Sequence, residues 1–255
     1  MKVDFSAVLA PKPQFLALLG PPASGKGTVT KMLVDKFGFD VIVPGNIYKA
    51  IREEDSEMGA QVRDFLKDGG ICPDWMTNDL MLRESEKHDR SFIFDGYPRT
   101  ANHVVFAQYH FDVIGFIHVE APYDVLYDLA VNRWECEECG CIFSVRSDPD
   151  SISMVCSHHS GAEGALNPRK KQRWDDTPEM YPKRYQAQME LLKPLVESVE
   201  NLDNYMRIQV IDNPGAMGEI VDFVSKNLAK IIKEAPTYME HSDHEYTSAG
   251  DNLVF

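Results

Sequence analysis

The stretch that decides the fold is Gly20-Pro21-Pro22-Ala23-Ser24-Gly25-Lys26-Gly27-Thr28. The apolar run Phe15–Leu19 leads into it and predicts a buried strand, and apolar residues at helical spacing follow it as far as Phe37. A strand, a glycine-rich turn and a helix form the context of a phosphate-binding loop, because small residues let consecutive backbone N–H groups surround an anion. An ordinary Gly/Pro turn before a helix is the alternative interpretation.

Two side chains of this loop carry groups that a bound nucleotide needs. Lys26 offers a cation for the outer phosphates, and Thr28 offers a hydroxyl near a magnesium ion. The spacing Gly20-x-x-x-x-Gly25-Lys26 is complete, although Gly27 is inserted before Thr28. The N-terminus of the following helix adds partial positive charge. The loop therefore predicts a site for nucleotide phosphates.

Composition indicates an acidic globular protein. The 255 residues are 44% hydrophobic and 26% charged, with a net charge of −14, which fits one domain or one domain with an insertion. This charge argues against nucleic-acid binding, which needs a basic surface, but a local basic cluster can still bind a nucleotide. No apolar run reaches membrane-spanning length and no cleavage signal is evident, so we expect a cytoplasmic protein without membrane contact. Its five cysteines are then thiols or metal ligands rather than a disulfide framework.

The segment after the first helix predicts a short strand and three helices. It is interpreted either as a helical hairpin that only packs, or as a flap over a second ligand. The predicted elements are a strand at Phe39–Val43, a turn at Pro44-Gly45, a helix capped by Asn46 and ending near Glu54, a helix at Met58–Leu66 stopped by Gly69-Gly70, and a helix capped by Asp74 and ending near His88.

A second motif follows the apolar run Phe92-Ile93-Phe94. It is Asp95-Gly96-Tyr97-Pro98-Arg99-Thr100. A carboxylate at the end of a hydrophobic strand, in a chain with a phosphate loop, is a candidate for the magnesium shell. Arg99 lies just beyond it, where such sheets bind ligands. Asp95 as a cap of the next helix and Arg99 as a surface residue are the alternatives.

Together, the two motifs resemble the adenylate kinase family of nucleoside monophosphate kinases, and the resemblance runs from about Phe15 to Leu228. It implies an α/β P-loop kinase fold: a five-stranded parallel sheet with helices on both faces, a monophosphate-binding flap and a mobile lid. We expect a monomer with a core of residues 15–133 and 173–233. The other predicted parts are an N-terminal extension at 1–14, the flap at 46–74, the lid at 134–172 and a flexible acidic tail at 234–255.

Further elements are predicted from apolar spacing and caps. They are a fourth strand at Val113–Val119, a helix at Tyr123–Arg133, a helix at Pro178–Val199, a last strand at Arg207–Ile211, and a helix capped by Asn213, with Pro214 as its first residue, that ends near Ile232.

The lid segment has the spacing of a zinc site. Cys136-x-x-Cys139 is followed, after sixteen residues, by Cys156-x-x-His159. Long-lid members of the resembled family often hold the lid with zinc on this spacing, so a structural zinc is expected. His158 could replace His159, and Cys141 is left over. Reduced thiols in a loop, or a nucleic-acid zinc finger, are the alternatives; the acidic surroundings disfavour the finger.

The resemblance also implies roles for particular residues, with Mg²⁺, ATP and AMP as the bound species. The cations around the transferring phosphoryl group would be Lys26, Arg99, Arg133, Arg173 and Arg184. ATP contacts would come from Ala23, Ser24, Gly25, Lys26, Gly27, Thr28, Arg133, Phe143 and Gly215. Monophosphate contacts would come from Asn46, Lys49, Gly70, Ile71, Cys72, Gly96, Tyr97, Arg99, His103, Arg173 and Arg184. Thr28 and Asp95 would lie near the magnesium ion.

Several positions depart from the family pattern, mainly those that read the two bases. Ala23 stands where a glycine is usual, and Lys49 replaces an arginine on the monophosphate. The other departures are Pro44 for a threonine, Asn46 for an aspartate, His103 for a glutamine and Leu129 for an arginine that stacks on the ATP base. We therefore predict an adenylate kinase, with a kinase for UMP or CMP and a catalytically weak nucleotide-binding scaffold as alternatives.

Overall fold

The structure is a computed structural model that describes residues 12–67, 72–89, 91–137, 142–144, 170–172 and 175–234. Within these ranges the main element is a parallel sheet of five strands in the order β2-β3-β1-β4-β8. Its strands are β1 (Gln14–Leu19), β2 (Asp40–Ile42), β3 (Phe92–Asp95), β4 (Asp112–Glu120) and β8 (Tyr205–Gln209).

Helices cover both faces of this sheet, which confirms the predicted α/β fold class. They are α1 (Lys26–Phe37), α2 (Pro44–Arg52), α3 (Glu57–Leu66), α4 (Asp74–Ser85), α5 (Ala101–His110), α6 (Tyr123–Val131), α7 (Tyr181–Val199) and α8 (Ala216–Glu234).

The side chains of β1 point alternately into two separate hydrophobic cores. Phe15, Ala17 and Leu19 face a core that α4, α5 and α7 complete, and Leu16 and Leu18 face a second core with α1 and α8. Successive strand residues point to opposite faces, so a strand buried on both sides is apolar throughout. This explains why the sequence shows a continuous apolar run at this strand rather than an alternating one.

A small antiparallel sheet follows α6. Its strands are β5 (Arg133–Cys136), β6 (Ile142–Ser144) and β7 (Lys170–Lys171), in the order β6-β5-β7. It begins at Arg133, which the sequence placed at the end of a helix; the helix instead ends at Val131, with Asn132 as its C-cap. The basic side chain that was predicted on a helix therefore lies at the start of a strand. The division into core, flap and lid stays a prediction.

Two predicted helix caps are wrong. Asn46 does not cap α2, since Pro44 and Gly45 already belong to this helix and its N-cap is Val43, because proline suits the first helical turn. Asp74 is the first residue of α4 rather than its cap, and its carboxylate accepts a hydrogen bond from the Thr100 hydroxyl at 3.0 Å. The alternative interpretation of Asp95 as a helix cap is not found either; the N-cap of α5 is Thr100, whose hydroxyl accepts from the His103 backbone N–H.

Two boundaries near the C-terminus also differ from the prediction. β8 begins two residues earlier than predicted because it pairs in register with β4, from Phe116 opposite Tyr205 to Glu120 opposite Gln209. The last helix begins at Ala216, and Asn213 lies in the turn before it, where its side-chain oxygen accepts from Gly215 N at 3.1 Å. Helix ends of this kind are poorly specified by local sequence.

The strand order places the carboxyl ends of β1, β3 and β4 side by side. The chain moves from β1 outward to β2, returns to β3, and then crosses to β4 and β8 on the other side of β1. Ligands bind to open parallel sheets at such a reversal of strand order. The phosphate loop follows β1 at this edge, and the Asp95 motif follows β3.

A glycine in β4 tests the packing of the sheet. A Cβ on Gly115 would lie 2.7 Å from a ring carbon of Phe223 and 2.9 Å from the Asn204 carbonyl oxygen. We expect Gly115→Ala to lower the free energy of unfolding by about 1–3 kcal/mol through overpacking. The matched control is Gly218→Ala in α8, where no atom lies within 4 Å of the added Cβ. It should raise stability by about 0.5–1 kcal/mol. Equal effects in urea unfolding would contradict this account.

Candidate active site

The loop after β1 takes a backbone shape that only a few residue types accept. Gly20 and Gly25 have φ values of +140° and +96°, which glycine adopts without a steric penalty. A Cβ on Gly20 would lie 2.1 Å from the Val119 carbonyl oxygen, so the loop passes directly against the end of β4. Ala23 has φ +67°, and the loop thus accepts a Cβ in the left-handed region at the position where the family pattern has glycine.

Lys26 begins α1 and points back into the loop. Its ammonium group donates to the carbonyl oxygens of Gly20 at 2.9 Å and Pro21 at 2.7 Å. Burial lowers its pKa to about 8, nearby Asp95 opposes the shift, and the positive charges of Arg184, Arg133 and Arg99 add to it. The charges of these three arginines act on Lys26 because all four cations lie near one another. They come from four separate segments and line the same cavity.

Arg133 and Arg184 share one buried carboxylate. Asp176 is fully buried, and it accepts two hydrogen bonds from Arg133, through Nε and Nη2, at 2.8 Å each. Arg184 Nη1 donates to the same carboxylate at 2.7 Å. A bidentate pair fixes the plane of a guanidinium, so Asp176 sets the orientation of Arg133. Arg184 is held by Asp176 together with Asp175, whose Oδ2 lies 3.4 Å from Arg184 Nε. The side chains of Arg133 and Arg184 are only 19% and 18% exposed.

The segment after β3 holds Arg99 by its backbone and by its side chain. Arg99 Nε donates to the Gly96 carbonyl oxygen at 2.8 Å, and its backbone N–H donates to His103 Nδ1 at 3.2 Å. Gly96 has φ +92°, and a Cβ there would lie 3.2 Å from the Arg99 guanidinium. Tyr97, joined to Pro98 by a cis peptide bond, is fully buried and its hydroxyl donates to Asn78 at 2.9 Å.

These elements surround a cavity of about 1100 Å³. Its wall includes Ala23 and Ile211, which pack against the small core of Leu126, Ala130 and Tyr181, and Leu192 and Leu195 of the core under α7. The predicted residues that line the cavity are Ala23, Ser24, Gly25, Lys26, Gly27, Thr28, Asp95, Gly96, Arg99, Arg133 and Arg184. Leu129 also lines it, so an apolar side chain stands in the wall where the family pattern has arginine.

Other predicted site residues lie elsewhere. Among the described residues, those outside the lining of this cavity are Asn46, Lys49, Cys72, Tyr97, His103 and Gly215. Asn46 and Lys49 are exposed on α2, and Cys72 is 4% exposed, where burial raises the pKa of its thiol. Phe143 belongs to β6, opposite Trp134. Predictions that fall outside the described residues concern Gly70, Ile71, Arg173, Cys139, Cys156, His159, His158 and Cys141.

Metal ligands can be assessed only in part. Across the described ranges, no three His, Cys, Asp or Glu side chains are grouped so that they could hold a metal ion. Cys136, the one expected zinc ligand in these ranges, is fully buried at the end of β5. Thr28 and Asp95, expected near magnesium, both line the cavity beside Lys26. In the same ranges, no helix has the length and apolarity of a membrane span.

Asp176 is the site residue that sequence reasoning missed. The acidic pair Asp175-Asp176 lies just beyond the predicted lid, and nothing local distinguishes a buried carboxylate from a surface one. A usable signal did exist, since two arginines of the cluster were expected nearby and a buried guanidinium needs a partner. No comparable signal in the sequence marked the part of the cavity wall that α7 supplies. Its residues are Gln188, Leu191, Leu192 and Leu195.

A glycine-rich loop on a parallel sheet, with a lysine and three arginines around one cavity, defines a nucleotide-dependent phosphotransferase. Comparison with known proteins specifies the family. The sequence model of the family described as adenylate kinase matches residues 18–204.

Curated relatives agree with this match. An adenylate kinase of Fervidobacterium nodosum is 30% identical over 193 residues, which cover 73% of this chain and 85% of the relative. One of Thermococcus sibiricus is 27% identical over 199 residues, covering 76% and 85%. One of Pyrococcus furiosus is 27% identical over 226 residues, covering 85% and 99%. The chain belongs to the adenylate kinase family and is a nucleoside monophosphate kinase.

The buried carboxylate generates a prediction. Asp176→Asn removes the negative charge that Arg133 and Arg184 share, and breaking a buried ion pair costs about 3–5 kcal/mol of stability. Turnover should also fall, by about tenfold or more, because the two guanidiniums lose their fixed orientation. The control is Asp222→Asn, an exposed position on α8, which should change neither quantity. An Asp176→Asn protein with wild-type unfolding and wild-type turnover would refute the orienting role.

Proposed function

We propose that the protein catalyses reversible, Mg²⁺-dependent phosphoryl transfer from ATP to AMP, giving two ADP. The observation that carries this proposal is the convergence of Lys26, Arg99, Arg133 and Arg184 on one cavity between the phosphate loop and the end of β3. Phosphoryl transfer asks a protein mainly for positioning and for charge stabilisation, so fixed cations are the chemistry required. Arg173, outside the described residues, is proposed as a fifth cation from the family resemblance.

Two segments that line the cavity suit two nucleotides. The backbone of the phosphate loop, with Lys26, holds the donor phosphates, while Arg99 at the end of β3 holds the acceptor phosphate. Arg133 and Arg184, which Asp176 holds, contact the phosphoryl group between them. Arginine suits this position because its planar fork binds phosphate oxygens in pairs.

Magnesium fits the residues at the mouth of the loop. The Thr28 hydroxyl and the Asp95 carboxylate both line the cavity next to Lys26, and oxygen ligands of this kind are those that magnesium prefers. When bound, magnesium would neutralise charge on the donor phosphates. No general base is required, because the acceptor is already an ionised phosphate. The remaining need is to exclude water, which the proposed flap and lid meet by closing over both nucleotides.

The acceptor side carries several of the departures from the family pattern. Pro44 is buried in α2 and His103 is buried in α5, and Lys49 is exposed on α2. These positions depart from the family pattern on the acceptor side. We propose AMP because both motifs and the named relatives agree on adenylate kinase. Phosphorylation of UMP or CMP is the alternative that these departures favour.

One assay tests this proposal directly. Purified protein with Mg-ATP is offered AMP, GMP, CMP and UMP, and we expect AMP to be the best acceptor by kcat/KM. Lys26→Met should keep the fold and lose about 10²-fold or more in turnover, because it removes a charge contact to the transition state. The control is Lys36→Met, at the exposed end of the same helix, which should keep wild-type activity. It shows whether replacing any lysine of α1 by methionine is enough to lower turnover.

Each outcome of this assay distinguishes the candidates. A preference for UMP or CMP selects the alternative acceptor, and no turnover with any acceptor selects a nucleotide-binding scaffold. Near-native turnover of Lys26→Met would reject the assignment of the loop.

We also propose that a structural zinc ion holds the lid through Cys136, Cys139, Cys156 and His159. Support comes from the spacing of the two pairs and from the burial of Cys136 at the end of β5. Residues 134–172 contain few large apolar side chains, and a segment of this kind needs a metal to supply the order that burial does not. All four metal positions would be filled by protein, so the ion would be structural.

Metal analysis decides this point. Protein purified without chelator should contain about one zinc per chain, and Cys139→Ser should lower this content. Cys141→Ala is the control and should retain the metal, because the x-x spacing excludes this cysteine. Chelation should make the lid protease-sensitive first and leave the core folded. Zinc content near zero in the wild-type protein would remove this proposal and leave the kinase proposal standing.

A further inference from the structure

His103 lies in the first turn of α5 and is 3% exposed. Its Nδ1 accepts a hydrogen bond from the backbone N–H of Arg99 at 3.2 Å. A backbone amide can only donate, so Nδ1 must be unprotonated, and the neutral ring then carries its proton on Nε2. The contact with Arg99 therefore fixes both the tautomer and the charge state of this ring.

The other side of the ring faces Asp74. Nε2 lies 3.1 Å from Asp74 Oδ1, at an angle outside hydrogen-bond geometry, so the contact is electrostatic. The second oxygen of Asp74 accepts from Thr100 Oγ1 at 3.0 Å and from Asn102 Nδ2 at 3.2 Å. Asp74 is the first residue of α4, where the predicted flap ends, and it thus joins that point to the start of α5.

Neighbouring groups restrict rotation of the imidazole. The Tyr97 ring lies against it, with centroids 4.9 Å apart. The Tyr97 hydroxyl shares its one proton between Asn78 Oδ1 at 2.9 Å and the His103 carbonyl oxygen at 3.1 Å. Arg99 is held on its other side by its own hydrogen bond to Gly96. A buried polar group held between two partners specifies one arrangement.

We propose that His103 is a positioning residue, which holds the backbone of Arg99 so that the guanidinium meets the acceptor phosphate, while the Asp74 carboxylate faces the Nε2 side of the ring. This inference rests on the proposed function in one respect, the contact of Arg99 with the acceptor phosphate. It assigns a role to His103 through another residue rather than through contact with the base. The ring is absent from the cavity lining, and each of its nitrogens already faces a protein group.

Protonation of His103 would break the contact with Arg99, because Nδ1–H and the backbone N–H would face each other. Burial lowers the pKa of His103 below its usual 6.5, the charge of Arg99 acts in the same direction, and Asp74 opposes both. Tyr97 stays neutral, since burial raises the pKa of its phenol. The contact is thus intact at neutral pH and is lost only as the pH falls through this lowered pKa, which lies below 6.5. The KM for AMP should rise over that range.

Two substitutions separate the two ring nitrogens. His103→Asn places an amide oxygen near the position of Nδ1, so it can still accept from Arg99, whereas His103→Gln reaches toward Asp74 and loses that acceptor. We expect His103→Gln to raise the KM for AMP about five- to tenfold, with the KM for ATP unchanged. His103→Asn should stay within about twofold of wild type.

The pH dependence adds a readout that a merely structural role would not change. The phosphate of AMP itself titrates near pH 6, so the wild-type profile is divided by that of His103→Asn, which lacks the imidazole. The ratio of the two KM values for AMP, wild type over His103→Asn, should still rise at acid pH. The control is His88→Gln, a histidine 2.9 Å from Asp40 at the far end of the sheet, which should leave both KM values and this ratio unchanged.

A measurement on the wild-type protein also tests the proposal, so the test does not depend on the folding of a variant. Nitrogen NMR of the His103 ring at neutral pH should show a protonated Nε2 and an unprotonated Nδ1. The opposite tautomer would overturn the proposal, and so would equal rises of the KM for AMP and for ATP in His103→Gln. Failure of the proposed function looks different, because the wild-type protein would then show no AMP-dependent turnover while the tautomer and the ring contacts remain as described.

Discussion

Parallel pairing of β1 with β3 on one side and β4 on the other is the constraint on which the rest of the structure depends. Because all three strands run in one direction, their carboxyl ends lie at one edge of the sheet. The phosphate loop, the Asp95 motif and the end of β4 are therefore neighbours although they lie far apart in sequence. The contact is close enough that a side chain at Gly20 would overlap the Val119 carbonyl oxygen. The geometry of the loop is thus set by the sheet as well as by its own glycines.

The second requirement is to bring several cationic side chains together and to keep each of them in a fixed orientation. Lys26 and three arginines repel one another, and burial adds a cost, which is why the pKa of Lys26 falls. Asp176 offsets part of this cost and turns two flexible side chains into fixed donors. Preorganised charge of this kind is effective in catalysis because it needs no reorganisation during the reaction. Tyr181, whose hydroxyl bonds to the Pro22 carbonyl oxygen at 3.0 Å, ties α7 to the loop that this charge faces.

Arg99, after β3, is held in a different way. Arg99 is held through hydrogen bonds of its backbone and its Nε rather than by a carboxylate partner, so its charge is offset less than that of Arg133. Asp74 connects this segment to the end of the predicted flap. A shift at the start of α4 would therefore reach Arg99 through the side chains of Asp74 and His103.

The sequence by itself determined the fold class and the phosphate loop. Both depend on local signals: an apolar strand, small residues where the backbone must curl, and a lysine at the start of a helix. The two motifs also indicated the family, and in the structure Lys26, Arg99, Arg133 and Arg184 line one cavity. Helix starts were less predictable, since Pro44 and Asp74 can each occupy either a cap or a first-turn position. Only the tertiary structure decided that Asp176 is buried between two arginines and that His103 faces Arg99 and Asp74 rather than the cavity. Burial and pairing of a polar side chain depend on elements distant in sequence, and no local pattern records which of them will meet.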